Sequence, residues 1–188
     1  MRASPAGAQV LIRDEPCHRV HMESEFEMSV RQFLARPPFL LRGVQPDHLA
    51  LFCDALTHDS YSNEKGCGSY ERLEFLGDAV LEFLVCENVY LATDLEEGAM
   101  TDYKQDKVAN HMLSARILSY GLDIDGMMRV GGGHKGPDGR AVVEENMRAD
   151  SFEALLAALY LSRGMDEVRR VVAEVILRDM GETSASDP

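Results

Sequence analysis

Long hydrophobic runs are missing from this 188-residue chain. No apolar stretch approaches the roughly 20 residues that a membrane helix requires, so no membrane partner is expected. The first 20 residues lack the basic-then-apolar layout of a secretory signal, which places the chain in the cytoplasm. No two of the four cysteines, Cys17, Cys53, Cys67 and Cys86, form a C-x-x-C pair. That scatter reads as reduced thiols, not as a disulfide frame or a zinc site. Alternating Val/Ile/Thr runs of strand length are absent too, which argues against a sheet. Positive charge is scarce: 19 Lys+Arg face 32 Asp+Glu, for a formal charge of −13. Phosphate binding usually leaves a basic footprint, and by that count alone nucleic acid is the wrong partner.

What is present is helical. At 45% hydrophobic and 27% charged, the composition is that of a folded domain, and the length suits one core. The 3.6-residue apolar period predicts helices over 24–35, 46–59, 68–92, 99–120, 142–163 and 165–180. Gly121 and Gly164 stand where helix C-cap glycines belong. The expected fold is all-α, a helical bundle over residues 24–180. Residues 1–23 read as a leader, within which Met22 is an alternative start, and 181–188 as a short polar tail. Cys17, His18 and His21 fall in the aperiodic leader and are not assigned as ligands. The loop Gly131–Gly139 formally matches G-x-G-x-x-G, but the Pro137-Asp138-Gly139 that follows is turn chemistry, not a helix N-terminus. It reads as a flexible surface loop.

The informative stretch is Glu71-Arg72-Leu73-Glu74-Phe75-Leu76-Gly77-Asp78. At about 100° per residue, Glu71, Glu74 and Asp78 share roughly a 60° arc of one helix face. Leu73, Leu76, Val80, Phe83 and Leu84 gather opposite, and Phe75, Leu81 and Val85 flank the acids. A helix so apolar is a buried one, and buried carboxylates are costly unless paired or bound to a metal. Gly77 costs up to about 1 kcal/mol relative to Ala in a helix, so it signals close backbone approach or room for a bound group. Asp150 and Glu153 form a second acidic pair, backed by Phe152, Leu155, Leu156 and Leu159. Packed side by side, the two helices would bring together four or five carboxylates that raise one another's pKa values unless a cation neutralises them. All-oxygen ligands favour Mg²⁺ or Mn²⁺ over zinc. The plain alternative is salt bridging by Arg72 and Arg148. Phosphoester hydrolysis fits an all-α metal–carboxylate site better than di-iron or isoprenoid chemistry, because Glu-x-x-His pairs and Asp-rich clusters are both absent.

These residues also carry a family resemblance. Glu71 through Leu81 resembles the signature of the ribonuclease III family almost letter for letter, and related patterns extend over about residues 28–178. They are Ala55–Tyr61 with Asn63-Glu64, Glu97-Gly98-x-Met100, Val108-x-Asn110-x-x-Leu113, and Ala149-Asp150-x-Phe152-Glu153-Ala154-Leu155 with Leu159-Tyr160-Leu161. The resemblance implies a homodimeric endonuclease domain with double-stranded RNA lying in a valley across both subunits. It implies Mg²⁺-dependent hydrolysis, with Mn²⁺ as substitute, leaving 5′-phosphate and 3′-hydroxyl ends with short 3′ overhangs, in RNA processing such as that of rRNA. Glu74, Asp78, Asp150 and Glu153 match the metal-binding catalytic quartet. Glu71 and Glu97 match supporting acids of the same cleft, and Phe75 matches an aromatic that enters the partner subunit.

Three departures stand out. Tyr70 replaces a frequent Asn, and Lys107 replaces a usual apolar residue. The periodic sequence also ends near Met180, where bacterial members append a double-stranded-RNA-binding domain; a separate RNA-binding partner would then supply that module. Two rivals share the pattern: a non-catalytic RNA-binding dimer, which would have lost some of these acids, and a phosphohydrolase of small phosphates. Charge by window alters the first impression, since residues 100–140 hold six basic and five acidic side chains. Lys104, Lys107, Lys135 and Arg140 from that window are the expected contacts to the RNA backbone. The acids elsewhere include the expected metal ligands, whose charge a bound cation would offset. A charge of −13 therefore does not exclude RNA.

Overall fold

A computed structural model describes residues 24–178. The Cys17/His18/His21 group, the alternative start at Met22 and the tail 181–188 all lie outside the described residues. The expected all-α fold is what forms: the only strand-like pairings among the described residues are isolated bridges, Thr57 with Arg129 and Lys135 with Ala141. No helix among them is long and apolar enough to cross a membrane.

Helix α1 (Glu25–Leu34) opens on a capping box in which the Ser24 hydroxyl accepts from the Glu27 amide and the Glu27 carboxylate accepts from the Ser24 amide. Helix α2 (Pro46–Ala55) starts on a proline, which lacks the N–H that a first turn would leave unpaired. The sequence period would carry α2 on to residue 59, but the chain leaves the helix at Leu56. There the His58 amide donates to the Arg129 carbonyl, and the Arg129 amide to the Leu56 carbonyl, both at 2.9 Å. The Arg129 guanidinium secures this crossing by bonding the buried Thr57 hydroxyl at 2.6 and 3.0 Å and stacking on the Phe26 ring. The short α3 (Asp59–Lys65) follows, with the His58 ring nitrogen accepting from the Ser60 amide as its cap.

The centre of the molecule is the pair formed by α4 (Glu71–Ala92) and α8 (Glu145–Arg163), the most extensive helix contact in the fold. Every residue of α8 from Met147 to Leu159 is buried except Asp150. Around this pair lie α5 (Glu97–Val108), α6 (Asn110–Tyr120), the single turn α7 (Ile124–Met127) and α9 (Met165–Val172), which runs into a π-turn at Ala173–Leu177. Two sequence expectations change here. The helix predicted over 99–120 is broken at Ala109, whose backbone is extended (φ −63°, ψ 133°). The glycine loop is held at its root: the Gly131 amide donates to the Ser60 hydroxyl and the Gly132 amide to the Glu64 carboxylate. Gly131 at that root is buried, while Pro137–Arg140 at the tip is exposed throughout.

Candidate active site

Gly77 explains how two helices bring their acids together. A Cβ at that position would stand 1.9 Å from the Glu153 carbonyl oxygen, so only glycine lets the α4 backbone rest on that of α8. Of the two roles open to Gly77 in the sequence, the structure selects close backbone approach. The Glu74 and Asp78 turns of α4 therefore face the Asp150 and Glu153 turns of α8. Glu153 is 5% exposed, Asp150 and Glu74 are half-buried, and Asp78 is at the surface.

Burial and mutual repulsion govern the electrostatics. Desolvation, followed by the charges of Asp78, Asp150 and Glu74, pushes the Glu153 carboxyl up to about 8. Glu74 is raised by burial and then by Asp150, Glu71 and Asp78. Burial also raises Asp78, with Glu82 adding to the shift and Lys104 opposing it. Asp150 is raised by burial, opposed by a hydrogen bond from the Tyr70 hydroxyl. The salt bridges that would have made these acids ordinary do not form. Arg148 points away and clamps Asp125 at 2.5 and 2.6 Å while bonding the Ser114 hydroxyl, and Arg72 is exposed. Among the described residues no Lys, Arg or His pairs with any of the four. A set of four carboxylates with no ion-pair partner, and only the more distant Lys104 opposing the shift of one of them, has the chemistry of a site for a hard divalent cation. Among the described residues no three such side chains are closed into a ready-made cage; the donors face one another across the two helices without ion-pair partners.

A ribonuclease-III-like family model matches residues 49–180, a span that contains both acidic helices. The ribonuclease 3 of Onion yellows phytoplasma is 33% identical over 147 residues, covering 77% of this chain and 60% of that protein. That of Caldanaerobacter subterraneus is 38% identical over 130 residues, or 66% of this chain and 54% of that protein. The chain thus spans less than two thirds of the length of these relatives. The fold is shared with the nuclease domain of ribonuclease III from Campylobacter jejuni, at a TM-score of 0.63 and 23% identity over 84% of this chain and 97% of that domain. This chain belongs to the ribonuclease III family.

Not every residue expected at the ribonuclease III cleft is brought to it. Glu71 is exposed but close enough to raise Glu74. Glu97 is elsewhere: it lines an apolar groove of about 490 Å³ between α4 and α5, where its carboxylate accepts from the Thr101 hydroxyl, and it is not among the charges acting on the quartet. Phe83, expected in the core, is 52% exposed on that groove beside Cys86 and Tyr90. Phe75 is 83% exposed, as a residue free to meet another chain would be.

The four cations expected to meet phosphate also separate. Lys107 is buried with its ammonium over the Tyr103 ring, so it drops out of the set. Lys104 is tied to Glu82 at 3.3 Å near Asp78. Lys135 and Arg140 are exposed on the glycine loop, Arg140 beside Asp138. In the sequence Tyr70 stands out only as a departure and Asn110 has no assigned role, yet both reach Asp150.

Proposed function

We propose that the chain is an endoribonuclease that cleaves double-stranded RNA by Mg²⁺-dependent phosphodiester hydrolysis, leaving 5′-phosphate and 3′-hydroxyl ends, as a homodimer acting in RNA processing. The observation that carries this reading is the quartet of Glu74, Asp78, Asp150 and Glu153, none of them in an ion pair, in a chain of the ribonuclease III family. These four side chains would hold Mg²⁺, with Mn²⁺ as substitute. Such an ion, when bound, acidifies water and offsets charge on a phosphodiester. Glu153, whose carboxyl burial pushes up to about 8, would act as a ligand in its ionised form, so that metal binding there releases a proton. Glu74 and Asp78, one turn apart, would hold the ion from the α4 side, Asp78 from an exposed position.

Phe75 supports the homodimer, since a phenylalanine so exposed beside the acids has no partner of its own to cover it. The Campylobacter jejuni domain has a region described as involved in dimer formation. Lys135 and Arg140 would contact the RNA backbone, and Lys104 sits where phosphate would compete for its bond to Glu82.

The test is incubation of the purified protein with a long RNA duplex, with and without Mg²⁺, and sizing of the products. Cleavage of the duplex that requires Mg²⁺, with free nucleotides left intact, is the expected result. Glu153→Gln and Asp78→Asn should each lower cleavage by about a thousandfold, which is ~4 kcal/mol of barrier, while duplex binding stays within about threefold. Hydrolysis of free nucleotides, or full activity in either variant, would overturn the reading.

A further inference from the structure

We propose that Asn110 is a positioning residue that holds the Asp150 carboxylate in place for its cation, an inference that rests on the quartet reading above. The break at Ala109 is the first ground. No proline or glycine stands there, and the helical pattern runs on through it, so local sequence does not demand the interruption. Its effect is to make Asn110 the first residue of α6 and set it against the opening turns of α8. The Asn110 amide nitrogen then donates to the Asn146 side-chain oxygen at 3.3 Å and to the Asp150 carboxylate at 3.5 Å.

Asn146 and Asp150 are i, i+4 neighbours on one face of α8, so a single amide group bridges both. An amide nitrogen has two hydrogens, and both are used. An ionised carboxylate only accepts, which fixes which end of the amide faces it. Tyr70, buried at the start of α4, offers its hydroxyl to the same carboxylate.

The kind of donor matters. A guanidinium or ammonium would orient Asp150 equally well but would cancel the charge a divalent cation needs. Neutral donors fix the direction of the carboxylate and leave its charge and remaining lone pairs free. This is how a half-buried acid is oriented without being satisfied.

The experiment measures Mn²⁺ affinity without RNA, by electron paramagnetic resonance of the free ion, beside steady-state cleavage of a duplex. Asn110→Ala should weaken Mn²⁺ binding about tenfold, the lower end of the range for groups that orient metal ligands. It should lower kcat by a similar factor while KM for the duplex stays within twofold. Asn146→Ala removes a partner from an exposed position where folding is not at stake, and should shift both quantities in the same direction by about threefold. Asp150→Asn separates the two ideas. If it abolishes cleavage and Mn²⁺ binding while Asn110→Ala and Asn146→Ala stay within twofold of the parent, the positioning role is wrong and the quartet stands. If Asp150→Asn itself binds Mn²⁺ and cleaves normally, the quartet reading fails and this inference with it.

Discussion

Helix α4 is two surfaces on one rod. Its first half, around Gly77, rests on the α8 backbone and presents Glu74 and Asp78 to an acidic site. Its second half runs along α5 and leaves Phe83, Cys86 and Tyr90 on an open apolar groove. The halves have similar composition and the same period. What separates them is the neighbour: an almost wholly buried helix at backbone contact in one case, and a helix with only Lys107 buried in the other. Position on a helical wheel tells which residues share a face, and the partner decides whether that face is core, site or surface.

The sharpest way to break this comparison is to remove the contact that defines the first half. Gly77→Ala forces a methyl into the Glu153 carbonyl, and neither backbone has a flexible end that can yield. Overpacking of this kind should cost about 3 kcal/mol, read as a fall in chemical-denaturation midpoint, with cleavage lost from the folded fraction as α4 and α8 separate. A variant as stable and active as the parent would mean that the two helices are not at backbone contact.

The part of this arrangement that is legible in the sequence is the part that depends on period alone. The 60° arc of Glu71, Glu74 and Asp78, the Asp150/Glu153 pair and the odd glycine between the acids all follow from residue type and spacing, and of the apolar stripe expected opposite the arc, Leu73, Val80 and Leu84 are buried. The misses have a common physical origin in contacts distant in sequence. Phe83 lies on the wheel beside buried residues, but the groove between α4 and α5 leaves it half open. Leu56–His58 leaves its helix because Arg129, distant in sequence, offers backbone bonds to Leu56 and His58 and a side-chain bond to Thr57. Ala109 breaks a well-patterned helix, and Asn110 gains partners on α8 that no local signal announces. Lys107 reads as a surface charge by its pattern, but its stem is buried and its ammonium lies over an aromatic ring within one turn, an i, i+4 pairing with Tyr103 that spacing alone could have suggested.

A second prediction sharpens the acidic half. Glu153 titrates near 4.5 in the unfolded chain and is pushed up to about 8 in the folded one. A raised folded value means that the native state binds the proton more tightly, so stability is full below about 4.5 and is lost as pH rises through about 8. The expected loss across that window is on the order of a few kcal/mol. In the absence of divalent cations the melting temperature should therefore fall across the same window, and Mg²⁺ should restore most of it by supplying the missing counter-charge. Glu153→Gln should flatten the slope. A profile that rises with pH between 5 and 8 without Mg²⁺, or one unchanged by the substitution, would show that the acids are not a coupled, uncompensated group.

The smallest expected effect tests the other half of α4. Phe83 reads as core by its position on the wheel, where its removal would cost about 3–5 kcal/mol. With half of its surface in solvent on an open groove, Phe83→Ser should instead change the stability of the isolated chain by less than about 1 kcal/mol, and leave the pH response of the acids unaltered. Denaturant titration of the variant beside Leu84→Ala, whose side chain is buried one position further on, gives the contrast directly. Leu84→Ala should fall by at least about 2 kcal/mol. Equal losses in the two variants would mean that the groove is closed in solution and that α4 has one kind of surface along its whole length.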